Sequence, residues 1–281
     1  MKMNVRIFSK LSALAFLIAA SASMMSCSDD DDDAITLTGQ AKTYTLNSVS
    51  NPAISGTVKF AERSDHSTIV TIDLDGTSSG NSHPAHIHAN SAAETGDIII
   101  DLSAVDGATG MSETIVTKKK DGTSITYAQL LELDGYVNVH LSAADMATLV
   151  AQGDIGSNEV TSTFTTYTFS PVNASGISGA AKFYKRANGT TLVVIDLDGA
   201  SSTGEYPVYL YDNDVITPGP IAIDLNTVNG STGVSYTNVT ELNNGTAITY
   251  DQLIDYDGHI SVSASPSELS TFVAETNVGA N

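Results

Sequence analysis

Gly56-Thr57-Val58-Lys59-Phe60 and Ile72-Asp73-Leu74-Asp75-Gly76 are the stretches on which the fold class turns. In the first, Val58 and Phe60 alternate with polar residues, the period of a half-buried strand. In the second, an apolar run ends on Asp75-Gly76, a turn dipeptide: glycine accepts positive φ, and aspartate bonds its own backbone. Both stretches recur at a constant separation, Phe60 at Phe183 and Asp75-Gly76 at Asp198-Gly199. The same step carries Pro84 to Pro207, Asp101-Leu102 to Asp224-Leu225, Ile125-Thr126-Tyr127 to Ile248-Thr249-Tyr250 and Asp134-Gly135 to Asp257-Gly258. No insertion or deletion is needed from Leu37 to Gly156. A repeat this long owns a core of its own and is not a solenoid unit.

Working outward, each copy reads as short strands rich in Val, Ile, Thr and Tyr, broken by Gly, Asn and Asp. In the first copy these are Thr36 to Asn47, Ile54 to Glu62, Thr68 to Leu74, Ala85 to Ala89, Asp97 to Leu102, Glu113 to Thr117 and Tyr136 to Ser142. Tyr127 to Leu131 reads as one helical turn, and Ala143 to Ala151 as a short helix. The expected fold is therefore all-β: two tandem antiparallel Greek-key sandwiches with short helical turns. The expected organisation is a leader over residues 1–26, a tether over 27–34, a first domain over 35–156 and a second over 157–281.

The leader reading rests on Lys2, Arg6 and Lys10 ahead of the apolar run Leu11 to Ala22, which is too short to span a bilayer as a helix. Met24-Met25-Ser26-Cys27 resembles a bacterial lipobox, with Met24 where Leu is usual. On this reading Cys27 is the lipidation site of an outer-membrane lipoprotein. Cys27 is the chain's one cysteine, so no disulfide forms within the chain and the fold is held by core burial. Asp29 to Asp33 forms a solvated tether resembling the acidic export tag of surface-displayed lipoproteins. Display on the cell surface is the expected location, and a periplasm-facing anchor the alternative. A formal charge of −20 and a pI near 4.3 exclude nucleic acid as a natural partner.

Chemistry concentrates on histidines. Pro84-Ala85-His86-Ile87-His88 places His86 and His88 on one face of a strand, about 6–7 Å apart by strand rise. Tyr136-Val137-Asn138-Val139-His140 is another alternating strand, and if it lies beside the first, three imidazoles converge. Such a set suits copper or zinc. His83 is a fourth candidate, of the wrong parity unless Pro84 introduces a bulge. Tyr206, Tyr209, Tyr211 and Ser263 occupy the matching positions of the second copy, so all four histidines are absent together there. Structural histidines bonded to backbone or to Asn138, or an exposed patch without a ligand, are the alternatives. His66, beside Asp65 at a hairpin tip, and His259, aligned with Tyr136, read as structural.

Other chemistry is sparse. Asp73-Leu74-Asp75-Gly76 lacks the further acidic ligands of a calcium loop. Lys118-Lys119-Lys120 before Asp121-Gly122 reads as a solvated hairpin end. Neither a phosphate loop nor a nucleophilic serine motif is present. Tyr206, Tyr209 and Tyr211 suggest an aromatic strip for glycan or protein contact.

Ala85-His86-Ile87-His88, Gly96-Asp97-Ile98-Ile99-Ile100-Asp101-Leu102 and Tyr136-Val137-Asn138-Val139-His140 resemble the hallmarks of CHRD (chordin-type) domains, and Gly219-Pro220-Ile221-Ala222-Ile223-Asp224-Leu225 repeats the middle one. The resemblance covers each copy nearly end to end. It departs after His140, where the family pattern continues into a Gly-Glu-Ile-Arg-Gly-like strand and Gly153-Asp154-Ile155-Gly156 is the nearest match. It implies an immunoglobulin-like sandwich akin to copper–zinc superoxide dismutase, where a His-x-His strand supplies copper ligands. In animal relatives it implies extracellular regulators that bind signalling proteins. The expected function is a non-catalytic, lipid-anchored surface binding module whose first domain holds a transition metal. A copper-dependent redox enzyme of dismutase type and a metal-free adhesive protein are the alternatives.

Overall fold

The computed structural model describes residues 34–281, so the expected leader over 1–26, Cys27 and the aspartate run fall outside the described residues. Ile35–Asn281 form one unit. Among the described residues there are sixteen strands and two short helices, and every strand pairing is antiparallel.

The first eight strands are β1 (Leu37–Ser48), β2 (Ser55–Arg63), β3 (Thr68–Asp75), β4 (Ser82–Ala89), β5 (Ile98–Asp106), β6 (Met111–Val116), β7 (Asp134–Ser142) and β8 (Asp145–Gly156). They form a sheet in the order β1-β2-β3-β6-β5-β4-β7-β8 that closes on itself. The sequence reading expects sandwiches, and the closure is the difference. The end of β1 pairs with β8, Asn47 opposite Gln152 and Ser48 opposite Ala151, so neither strand leaves a free edge. The second repeat forms a matching closed barrel from β9 (Val160–Pro171), β10 (Ser178–Arg186), β11 (Thr191–Asp198), β12 (Glu205–Asp212), β13 (Ile221–Asn229), β14 (Val234–Val239), β15 (Asp257–Ser263) and β16 (Phe272–Gly279).

The alternation seen in sequence fills both barrels. Thr68, Val70, Ile72 and Leu74 of β3 point inward, as do Thr191, Val193, Ile195 and Leu197 of β11. They meet Val58, Phe60, Ile87, Val137 and Val139 in the first core, and Phe183, Val208, Leu210, Ile260 and Val262 in the second. Helices α1 (Tyr127–Leu131) and α2 (Tyr250–Leu253) occupy the same place in each repeat. Each begins with a reciprocal cap, Thr126 with Gln129 and Thr249 with Gln252.

The helix expected over Ala143 to Ala151 is not formed. Ser142 pairs with Asp145 across a two-residue turn, and β8 runs back along β7, with Leu149 opposite His140 and Ala151 opposite Val139. The helix-forming residues there are overridden because β7 and β1 both require a partner strand at this point. This strand also closes the barrel.

Candidate metal centre

Topology brings the histidines together. Because β3 pairs with β6, β4 is left beside β7, with His86 opposite Asn138 and His88 opposite Tyr136. Ile87, between the two histidines, is fully buried in the core, so His86 and His88 project from the outer face. His140 follows Asn138 by two residues and shares that face. The ligand atoms of His86, His88 and His140 lie within 4.8 Å of one another. The His86 ring centroid is 6.0 Å from that of His88 and 5.2 Å from that of His140.

Backbone carbonyls set two of the tautomers. His140 Nδ1 donates to the Met146 carbonyl at 2.7 Å, and His88 Nδ1 donates to the Gly96 carbonyl at 2.9 Å. Each of these rings therefore keeps an unprotonated Nε2. His88 Nε2 is buried and has no hydrogen-bond partner among the described residues, as is also true of His83 Nε2, but only that of His88 lies among other histidine nitrogens. His86 Nδ1 stands 3.2 Å from His140 Nε2. Since that Nε2 only accepts, His86 carries its proton on Nδ1 in the metal-free protein. The other face of His86 looks at Asp101 Oδ1, 3.9 Å from Nε2, and Lys120 Nζ lies 3.5 Å from the same oxygen.

The electrostatics favour neutral rings. Burial lowers the His86 pKa from the ordinary histidine value, and the neighbouring His140 lowers it further. Burial likewise lowers that of His140, against the raising effect of its Met146 hydrogen bond. Neutral imidazoles oriented by outer hydrogen bonds are the state a transition metal requires. The donor set could hold a metal ion: three nitrogens, two with their free lone pairs on Nε2 and the third able to release Nδ1 by moving its proton to the side facing Asp101.

His83 is placed elsewhere. Its parity is that of Ala85 and Ile87, it is 1% exposed, and its Nδ1 donates to the His140 carbonyl at 3.1 Å. The β4–β5 register does shift between His83 and Ala85, but the additional residue is on β5, where Ala85 faces Leu102 and His83 faces Val105. A bulge on the partner strand does not turn His83 outward, so it supports the strand that carries His140 and stays out of the three-histidine group. His66 sits in the β2–β3 turn at φ 63.

In the second barrel the same outer row survives with its chemistry replaced. The first barrel has Asp101, His86, Asn138 and Gln152 side by side across four strands, and the second has Asp224, Tyr209, Ser261 and Glu275. Ser263 Oγ donates to the Leu269 carbonyl, as His140 Nδ1 does to Met146. Tyr209 and Tyr211 pack edge to face at 6.2 Å on this outer face, while Tyr206 points into the core. Sequence reasoning missed the carbonyls of Gly96 and Met146, which bear no side-chain signature, and the part played by Asp101. The last was detectable in principle, since Asp101 and Asp224 persist at the repeat spacing on either side of the lost histidines. Comparison with family models, with curated proteins and with solved structures returns no match to this chain.

Proposed function

We propose that this protein is a transition-metal-binding surface module, in which His86, His88 and His140 hold one copper or zinc ion. The observation that carries this reading is the convergence of His86, His88 and His140, their ligand atoms within 4.8 Å of one another, with the buried Nε2 of His88 oriented by its Nδ1–H···O=C bond to Gly96 and unpartnered among the described residues. An unpaired buried imidazole nitrogen costs stability unless something occupies it. The bound ion would supply the missing partner and act as a structural or sequestered cation. The second barrel, lacking the histidines, serves as a spacing or adhesive partner. The chordin-type resemblance, the Greek-key reading of strand order β3-β6-β5-β4, and anchorage through Cys27 with display on the outer-membrane surface belong to the same proposal. They rest on the sequence motifs and on the strand order.

The deciding experiment is metal content of the purified chain after copper or zinc supplementation, beside His86→Ala and His140→Ala. About one ion per chain, lost in both variants, supports the reading, and no bound ion in the parent chain removes it.

A second reading, a copper-dependent redox enzyme, is favoured by one observation. His83 stays outside the group, so the three histidines leave a coordination position for a small molecule. Turnover of superoxide by the copper-loaded chain, absent in His140→Ala, would select this reading over simple binding.

A further inference from the structure

The loop joining β4 to β5, residues 90–97, supplies the Gly96 carbonyl that orients His88. It is not a relaxed loop. Thr95, next to Gly96, sits at φ 64, a conformation that a β-branched residue adopts only when its surroundings impose it. Pro218 stands at the matching place of the second barrel, where positive φ is impossible. Thr95 itself is held within the loop, its N–H donating to the Ser91 carbonyl and its carbonyl accepting from Asn90 Nδ2; the second barrel bears on the residues around it. Ala92 N–H donates to Asp154 Oδ1 at 2.8 Å, and the other oxygen of Asp154 accepts from Arg186 Nη1 of β10 at 2.8 Å. Asn238 of β14 donates to Glu94 Oε2 at 3.0 Å, and the same oxygen accepts from the Ser91 hydroxyl. Asn158, between the barrels, donates to the Asn90 carbonyl.

Comparison of the repeats shows what the charged pair adds. In the second barrel Val215 N–H donates to Asn277 Oδ1 at 3.0 Å, the same bond made to a neutral amide. In the first barrel Arg63, which matches Arg186, donates to Ser67 Oγ and has no carboxylate partner among the described residues. An Asp–Arg pair therefore forms at the one junction where one barrel meets the next. The Arg186 side chain is fully buried; its Nη1 also donates to the Asn158 carbonyl, while Nε and Nη2 have no partner among the described residues. So poorly satisfied a buried ion pair is a weak source of stability, which leaves the fixing of one geometry as the role to test. The geometry fixed is that of the loop holding His88.

We infer that the second barrel is a brace for the histidine centre of the first, with Arg186 and Asn238 as positioning residues that act on His88 through residues 90–97. The inference rests on the metal reading for its purpose, but not for its test. In the full chain, the double variant Asp154→Asn with Arg186→Met reproduces the neutral arrangement of the second barrel and leaves no unpaired buried charge. Hydrogen exchange of the Ala92 amide and of the His88 Nδ1–H is followed by NMR without metal, and zinc affinity by chelator competition. The expected result is exchange at both sites faster by on the order of tenfold, and zinc affinity lower by about tenfold, the scale seen when partners of metal-ligating histidines are removed. Asn238→Ala, at a solvent-facing bond, should move both readouts in the same direction, and it decides the matter if the double variant does not fold. Lys185→Ala, whose partner Asp251 lies within the second barrel, should move neither. Unchanged exchange, or faster exchange with unchanged zinc affinity, overturns the brace while leaving the metal reading standing. A parent chain that binds no zinc defeats the metal reading, and the exchange rates still decide whether the loop is braced.

Discussion

His88 and Tyr136 are register partners on neighbouring strands and stack with ring centroids 4.9 Å apart and planes 23° from parallel. In the second barrel the same pair is present with its members exchanged: Tyr211 takes the place of His88, His259 that of Tyr136, and the rings stack at 5.1 Å and 11°. The packing unit is thus common to both repeats, and only its orientation separates them. With the histidine on β4 it lies two residues from His86 and joins the cluster. On β15, His259 has no histidine beside it, and its Nδ1 donates to the Asn213 carbonyl.

That relationship makes the site transferable. Tyr209→His, Tyr211→His and Ser263→His together should give the second barrel its own ion, since the Leu269 carbonyl already stands where it would orient a histidine at position 263. Metal content should rise from about one ion per chain to about two. A stoichiometry still at one in a folded triple variant would show that the outer row alone does not make the site.

Tyr136→Phe keeps the ring stack and removes the hydroxyl that accepts the Gly96 N–H at 3.1 Å. Leaving that amide unsatisfied should cost about 1 kcal/mol of stability in urea unfolding and lower metal affinity, because Gly96 also holds His88. The same substitution at an exposed tyrosine such as Tyr236 should do neither.

His83→Ala separates support from ligation. Removing a fully buried ring bonded to the His140 carbonyl should destabilise the first barrel by about 2–4 kcal/mol. Metal stoichiometry at neutral pH should nonetheless stay at about one per chain. In His88→Ala, by contrast, stoichiometry should fall to none. Loss of metal in a folded His83→Ala chain would place His83 among the ligands.

Stability and metal retention should both weaken in mild acid. The pKa values of His86 and His140 in the folded protein lie below the ordinary value of 6.5. Between the folded and unfolded values the unfolded chain binds more protons, so stability rises with pH through that window. Above about pH 6.5 these groups contribute no slope. The urea midpoint of the metal-free chain should therefore be flat near pH 7–8 and fall from pH 6.5 downward, and His86→Ala should flatten that fall. Bound metal should be released over the same range, as protons compete for the ligand nitrogens.

The repeat, its strand periodicity and the turn dipeptides were all legible in the sequence because they are local: side chains alternate with period two, and Asp-Gly turns without outside help. His86 and His88 could be assigned to one face for the same reason, and Ile87 to the core. Three things could not be read locally. Ala143 to Ala151 has helical composition, yet the open edges of β7 and β1 recruit it as the strand that closes the barrel. His83 has the parity of the core, but which backbone group it bonds depends on where β7 runs. The convergence of His140 on His86 exists because β3 pairs with β6 and leaves β4 beside β7. The sequence by itself determined two copies of an all-β unit and the loss of four histidines from one of them. Only the tertiary structure decided that three of the four come together in one cluster, because strand neighbours and carbonyl acceptors are set by long-range pairing, which no local pattern encodes.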